Sequence, residues 1–459
     1  MRPALLLSLV VIAATACGPS ASVQHANTLL ARGDYRGASD YTAAELSKHP
    51  GDAELHRIRL RALLGLGDPG RAVADYRAWR AQHGGTDDRK ALRTMALTTV
   101  WQGVTSPSAA LRLTAIRAIE RLEIEELAED VGKAMGDDDD AVAAAAAVAV
   151  LRSFGQAPDV AQQMLRSDDP RARAIAVEGI GRKVRRLAID DLRPLAGDPD
   201  PQVRAAVARY LGTVGGDGAA ELVTMTGDGA AEVRAAAIAA LAAGGGGRAA
   251  LPDATRFLAD ESLAVRLAAV ALVAKAGGKP ALEALLAHAD PMVAATAAHR
   301  RGDRAAAVAV FDRALGATDV GTRAGVVNLL AAALPQDAAI ARATAALADP
   351  APTVKLAAAR ALAYLGQHGA ALTALTALAA TAAPADRADA AAELARLGDP
   401  HGAAILTELA GSPDADVRRA VVQAHVGAGA ITAGLWGALA DDQAATRLDA
   451  AIAILTLAG

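Results

Sequence analysis

Apolar residues recur along most of this chain at the spacing of one helix face. Counting from Val203, the residues at offsets 4, 7, 8 and 11 are Val207, Tyr210, Leu211 and Val214. A stripe with this spacing is typical of an amphipathic helix that buries one side. The pattern therefore predicts an all-α protein. Equivalent stripes start at Val354 and Thr446.

A short phrase precedes each stripe: Asp or Ser, often Pro, then an apolar–cationic pair that opens an Ala-rich helix. Residues 198–204 read DPDPQVR, and residues 349–355 read DPAPTVK. The phrase recurs at a mean interval of about 30.5 residues, enough for two helices and two turns. We therefore predict about twelve stacked helical hairpins, an α–α superhelix, over residues 86–459. The cationic position of the twelve copies holds Arg112, Ala143, Arg173, Arg204, Arg234, Arg266, Ala294, Arg323, Lys355, Arg387, Arg418 and Arg447.

Composition agrees with the helical pattern and excludes several classes of protein. The chain is 53% hydrophobic but 2% aromatic, and Ala, the best helix former, takes the place of the aromatic residues. A net charge of −4 argues against a nucleic-acid-binding protein, which usually carries a basic surface. A single Cys excludes a disulfide framework and any metal site built from several Cys residues.

Residues 25–85 contain two further hairpins with a different period. Gly33 and Gly67 are positioned to turn the chain, and Ala38 and Ala72, 34 residues apart, are small enough for helices to cross closely. The pair resembles tetratricopeptide repeats. The alternative is a generic helical cap for the long array.

The first seventeen residues resemble the export signal of a bacterial lipoprotein. Arg2 precedes an apolar run, residues 14–16 read ATA, and the single Cys of the chain follows as Cys17. The resemblance implies a signal peptide over 1–16, acylation of Cys17, and a lipidated tether over 17–24. Gly18 in place of Asp favours the outer membrane facing the periplasm. The alternative is an ordinary secretory signal in which Cys17 has no role.

The long array resembles the HEAT family, in particular the short repeats of HEAT-like bilin lyases. The resemblance implies that the repeated cation pairs with an Asp in a neighbouring unit and joins the units in register. The alternative is an anion-binding ladder along the array. These residues are Arg112, Arg173, Arg204, Arg234, Arg266, Arg323, Lys355, Arg418 and Arg447.

Two basic clusters are predicted at the carboxyl ends of second helices, where cations complement the helix dipole. Each is also a candidate docking site for an anion or an acidic partner. The acidic run over 137–140 is interpreted as capping of the helix that follows it. The clusters comprise Arg182, Lys183, Arg185 and Arg186, and Arg300, Arg301 and Arg304.

No catalytic, cofactor or metal site is expected. The nine His residues are scattered, no His-Glu dipeptide occurs, and no phosphate-binding, nucleophile or zinc-protease motif is present. The pattern favours a non-catalytic, membrane-anchored scaffold of the bacterial envelope that binds other proteins, with no nucleic-acid partner. The alternatives are a lyase-type or chromophore-handling enzyme and an assembly pilot for an envelope machine.

The last predicted helix ends at Gly459 without a polar capping helix. Terminal repeats normally present a polar outer face. We therefore expect this end to pack against a partner or a second copy of the chain, giving a homo-oligomer.

Overall fold

The computed structural model describes residues 20–154, 158–244 and 254–458. It divides into two compact units between Thr98 and Thr99. The predicted signal peptide and Cys17 lie outside the described residues. Within these residues no helix is both long and apolar enough to cross a membrane.

The first unit consists of two helical hairpins and the start of a further helix. Helix α1 begins at Ala21, with the Ser20 hydroxyl accepting from the Val23 amide, so the predicted tether over 17–24 is wrong for residues 21–24. The predicted boundary at 85/86 also differs from the division at 98/99, which falls within helix α5. The helices are α1 Ala21–Ala31, α2 Tyr35–Lys48, α3 Ala53–Gly65, α4 Pro69–Gln82 and α5 Arg89–Val104.

The hairpin turns of the first unit have the geometry that the sequence predicts. Gly33 and Gly67 adopt φ of +73° and +74°, a region that residues with a Cβ rarely enter. Ala38 and Ala72 are completely buried where the helices cross. The hairpins at 25–85 are therefore present, and their assignment as tetratricopeptide repeats stays a prediction.

The second unit has an inner and an outer layer of helices. The inner helices contact one another in chain order, and each of the twelve cationic-register positions lies on one of them. The all-α solenoid predicted from the period is confirmed. The inner helices are α6 Ala109–Leu122, α8 Asp140–Phe154, α10 Pro170–Val184, α12 Pro201–Val214, α14 Ala231–Gly244, α15 Leu263–Glu283 (bent at Gly278), α16 Pro291–Arg301, α18 Val320–Ala333, α20 Pro352–Tyr364, α22 Pro384–Arg396, α24 Ala415–Ala428 and α26 Ala444–Ala458.

Most of the outer helices are shorter than the inner ones, with which they alternate along the chain. Several are continued or replaced by 3₁₀ turns, for instance at Arg193–Gly197 and Gly215–Gly218. The outer helices are α7 Ala128–Lys133, α9 Pro158–Met164, α11 Ile189–Leu192, α13 Ala219–Met225, α17 Arg304–Leu315, α19 Gln336–Ala346, α21 His368–Thr381, α23 Pro400–Leu409 and α25 Ala433–Gly437.

Small residues let the inner helices approach closely. A Cβ placed on Gly179 of α10 would lie 2.1 Å from Val148 Cγ2 of α8. A Cβ on Gly212 of α12 would lie 2.7 Å from Ala240 Cβ of α14. The low aromatic content of the chain therefore has a structural reason, since large side chains would separate these helices.

Arginine–aspartate pairs join successive units. Arg173 Nε and Nη2 each donate to the Asp198 carboxylate over 2.8 Å, while Nη1 donates to the carbonyl oxygens of Ser167 and Asp168. Burial alone would raise the pKa of the Asp198 carboxyl, but hydrogen bonds from Arg173 and the Asp200 amide outweigh burial and lower that pKa. The same pairing occurs in Arg112–Asp137, Arg204–Asp228, Arg234–Asp260, Arg266–Asp290, Arg323–Asp349 and Arg418–Asp441.

Where the arginine of a pair is replaced by alanine, the aspartate is replaced as well. Ala143 replaces the arginine, and the aspartate position of the next unit is then Ser167, whose hydroxyl instead donates to Asp140. Ala294 is likewise followed by Ala317 at the aspartate position. A half-buried arginine without its carboxylate would be costly, so one change favours the other.

The remaining cationic positions bond differently. Arg387 Nε donates to the Ala379 carbonyl oxygen over 2.8 Å and Nη2 approaches Glu408 at 3.3 Å. Arg447 Nη1 donates to the carbonyl oxygens of Asp441 and Asp442 over 2.7 and 3.1 Å. Lys355 adds an electrostatic contribution that helps to lower the pKa of Asp349, after the larger effect of Arg323.

The array closes on itself, because the last inner helix, α26, contacts both α24 and the first inner helix, α6. Leu448 of α26 is 2% exposed, and its Cδ1 would lie 3.0 Å from a Cβ on Gly103. That same Cβ would lie 2.9 Å from Ala115 Cβ of α6. The expectation of an uncovered last repeat is therefore wrong. The rotations between successive units bring α26 back to α6. The homo-oligomer was expected because the last helix would be uncovered, and this reason no longer holds.

Replacing Arg173 with Met should lower the free energy of unfolding by about 2–4 kcal/mol, because the Asp198 side chain, 4% exposed, keeps a charge without its partner. Arg171→Ala is the matched control on the same helix. Arg171 is 59% exposed and pairs with Asp169, so its loss should cost about 0–1 kcal/mol. Urea unfolding followed by circular dichroism measures both. Equal losses for the two variants would contradict a junction role for Arg173.

Replacing Leu448 with Asp should open the closed array, because the carboxylate would have to be buried against Gly103 and Ala115. We expect a larger radius of gyration by X-ray scattering and faster amide exchange in α6 and α26, with exchange in α12 unchanged. Thr456→Asp, at an exposed position of the same helix, is the control. Unchanged exchange in α6 would show that closure does not depend on this contact.

Candidate functional site: the cavity at the closure

A cavity of about 890 Å³ lies where the two ends of the array meet. It is bounded by three helices from the beginning of the second unit, α6, α8 and α10, and by two from its end, α24 and α26. Both ends of the array are thus needed to form it. Because these are all inner helices, the cavity lies on the inner side of the closed array.

The cavity wall uses one face of each inner helix. Counted from Arg112, the lining residues Thr114, Arg117 and Arg121 lie at offsets 2, 5 and 9. Positions three and four apart share a helix face, and this face differs from the buried stripe. The same offsets place Ile175, Glu178 and Arg182 of α10, and Asp449, Ile452 and Thr456 of α26, on the wall.

The carboxylates of the wall are engaged in ion pairs with arginines. Glu178 accepts from Arg209 of the next inner helix over 2.7 Å. Asp449 accepts from Arg419 of α24 over 2.7 Å. These pairs neutralise the carboxylates and also hold neighbouring inner helices together. A third pair, 3.2 Å long, joins Glu120 to Arg182.

Two arginines of the wall lack such partners. Arg117 and Arg121 are exposed, lie one helical turn apart on α6, and make no hydrogen bond or ion pair with the described part of the chain. Cβ atoms four residues apart in a helix are about 5–6 Å apart. The two guanidinium groups can therefore reach the same anionic group. The lining holds three arginines and three carboxylates, and two cations are in excess once Arg209 and Arg419, the arginines that pair with Glu178 and Asp449, are included.

The ladder residues and the cavity are separate features. The ladder cations occupy the first turn of the inner helices, at the junctions between units, and none of them lines the cavity. A satisfied bidentate arginine has few donors left for a ligand. The structure therefore favours the junction role that the HEAT resemblance implies over the alternative of an anion-binding ladder.

The first predicted basic cluster lies at the carboxyl end of α10 and just after it. The second lies at the carboxyl end of α16, except for Arg304, which begins α17. In the first, Arg182 lines the cavity and Arg186 pairs with Asp217, whereas Lys183 and Arg185 are exposed. In the second, Arg301 pairs with Glu283 over 2.6 Å, and Arg300 and Arg304 are exposed or nearly so. The structure does not bring the two clusters together, and Arg182 alone of the seven belongs to the candidate site.

Sequence reasoning missed Arg117 and Arg121. They are not adjacent in the sequence, so a search for basic runs does not find them. The offsets 2, 5 and 9 from the ladder position would have placed them on the inner face, once that face had been distinguished from the buried one. Residues at these offsets in the first and last inner helices line the same cavity because the array is closed.

The His residues remain outside the site. His425 is completely buried, with Nδ1 2.7 Å from the Val421 carbonyl oxygen and Nε2 2.5 Å from Thr432 Oγ1, and burial lowers its pKa. It is a core residue with both ring nitrogens bonded. Within the residues that the structure describes, no three His, Cys, Asp or Glu side chains are grouped as metal ligands would be.

Comparison with known proteins gives one family match. The model of the HEAT repeats matches residues 157–242 and 340–426, which lie within the second unit. No curated protein matches the chain.

Three solved structures are similar to the chain at low identity. YibA of Escherichia coli is 19% identical, covering 59% of this chain and 92% of its own, with a TM-score of 0.28. The CpcE–CpcF complex of phycocyanin lyase from Nostoc is 18% identical. The match covers 61% of this chain and 92% of the chain from the complex, with a TM-score of 0.28. Kap95 in its complex with Nup1 is 13% identical. The match covers 88% of this chain and 68% of the Kap95:Nup1 chain, with a TM-score of 0.40.

The family match and the observed architecture lead to the same conclusion. The matched segments contain inner helices α10 to α14 and α20 to α24, in which the arginine–aspartate pairs recur. Residues 157–242 and 340–426 therefore contain HEAT-like repeats, and the second unit is an all-α solenoid.

Proposed function

We propose that this chain is a non-catalytic, protein-binding scaffold anchored to a membrane of the bacterial envelope. The observation that carries the proposal is the cavity at the closure, whose wall offers two arginines that form no ion pair with the described residues, beside apolar side chains. HEAT solenoids bind other proteins through surfaces of this kind. The first and last inner helices cover one another, and we assign the wall of the cavity beside this contact as the surface for a partner.

A structural role for the charged groups supports a non-catalytic function. Glu178, Asp449 and Glu120 are held by arginines of other helices, so their charges stabilise the array. The cavity wall thus has the chemistry of a recognition surface.

The proposal of an anchor rests on the sequence. Cys17 follows an apolar run and small residues, and acylation at this position would provide the two or three chains that stable anchoring requires. Gly18 favours the outer membrane, with the solenoid in the periplasm. On this proposal the first unit lies next to the anchor in the chain.

Replacing Cys17 with Ser should move the protein from the membrane fraction to the soluble fraction, because the thiol is the site of acylation. Labelling cells with an alkyne-tagged fatty acid should mark the wild-type chain and leave the variant unmarked. Ser20→Ala, which keeps the thiol, is the control. Membrane retention of the Cys17→Ser protein would remove the anchor from the proposal.

A photo-crosslinking amino acid at Thr114, on the cavity wall, should form crosslinks to specific envelope proteins in living cells. The same group at Gln162, exposed on outer helix α9, should not form them. Gel analysis and mass spectrometry of the crosslinked bands measure the difference. Equal crosslinking from both positions would argue against the inner wall as the binding surface.

A further inference from the structure

We infer that the cavity at the closure binds an acidic peptide segment of the partner, with Arg117 and Arg121 receiving its carboxylates. The inference rests on the proposed protein-binding function and specifies the chemistry of the partner. It follows from the charge balance of the wall, the distribution of its apolar residues, and its size.

Two arginines of the wall, Arg117 and Arg121, remain without a carboxylate partner among the described residues. Glu120, Glu178 and Asp449 accept from arginines at 2.7–3.2 Å, whereas Arg117 and Arg121 make no such bonds with the described residues. A guanidinium group presents donors in a fork that matches a carboxylate. In a concave site the low-dielectric walls concentrate this positive potential. An incoming carboxylate would thus find partners that the chain itself does not provide.

Apolar and charged or polar residues are mixed on the wall. On α26, Ile452 lies between Asp449 and Thr456. On α10, Ile175 is followed one turn later by Glu178. An acyl chain needs a continuous apolar channel, whereas charged side chains alternate with apolar ones here. The short side chains of a peptide, acidic and apolar in turn, fit such a surface better than a lipid does.

The size and lining of the cavity agree with this occupant. Its volume of about 890 Å³ is at the upper end of the range for small-molecule sites, about 300–1,000 Å³. The residues that line it include no aromatic side chain on which a planar ligand would stack. A short extended segment of several residues would fill it while its backbone enters and leaves at the open sides.

The test is fluorescence anisotropy of the full-length protein with a labelled twelve-residue peptide of alternating Glu and Leu. Its counterpart with Gln in place of Glu should bind at least tenfold more weakly. Arg117→Glu combined with Arg121→Glu should weaken binding of the acidic peptide at least tenfold. Arg117→Lys combined with Arg121→Lys should retain part of the affinity, because the charge is kept.

The matched control is Arg166→Glu combined with Lys279→Glu. Both residues are exposed and away from the cavity, and the change in net charge is the same. This variant should bind the acidic peptide as the wild type does. An equal loss in the two double variants would overturn the inference, because net charge alone would then explain binding. Equal binding of the Glu and Gln peptides, or no saturable binding of either, would also overturn it.

Two further probes test whether the arginines bind another kind of anionic ligand instead of a peptide. Inorganic phosphate and phosphatidylglycerol vesicles should bind in a manner independent of Arg117 and Arg121. Binding of either probe that depends on these arginines, with no binding of the peptide, would overturn the inference in favour of a phosphate ligand. If the peptide fails but crosslinks from Thr114 persist, the protein-binding function stands and the acidic partner alone is refuted.

Discussion

The bidentate pair between an arginine and the aspartate 23–26 residues later is the interaction on which the second unit depends. Each pair is formed between the first turn of one inner helix and the loop before the next. The aspartate also caps its own loop, as Asp198 does for the Asp200 amide. One side chain thus fixes both the start of a helix and its distance from the preceding one, so the step between units stays nearly constant.

A constant step explains how an array of hairpins becomes a closed object. Each unit contributes a small rotation, and twelve of them return α26 to α6. The joint there uses small residues, with Leu448 seated against Gly103 and Ala115. The apolar faces that an open solenoid must cap at both ends are buried on each other.

The sequence predicted the inner helices and the positions of the ladder, because each depends on residues that lie close together in the chain or recur at a fixed interval. Asp caps, Pro in the first turn and the apolar stripe specify each helix locally. The closure could not be predicted in this way, since no single residue encodes it and it results from twelve rotations added together. The same limit applies to the cavity, whose wall combines Arg117 with Asp449, residues from opposite ends of the array.

Closure also decides what kind of recognition the second unit can perform. An open solenoid adapts its curvature to a large partner, but a closed one has a wall of fixed radius, because any change in one joint must be compensated at the others. Which partner binds then depends on the side chains that face inwards. In the cavity four of the six charged lining residues form ion pairs that hold the wall, as Glu178 does with Arg209. The exceptions, Arg117 and Arg121, have charges that serve no contact within the described chain, and a partner that supplies carboxylates there gains energy without breaking any pair that holds the array closed.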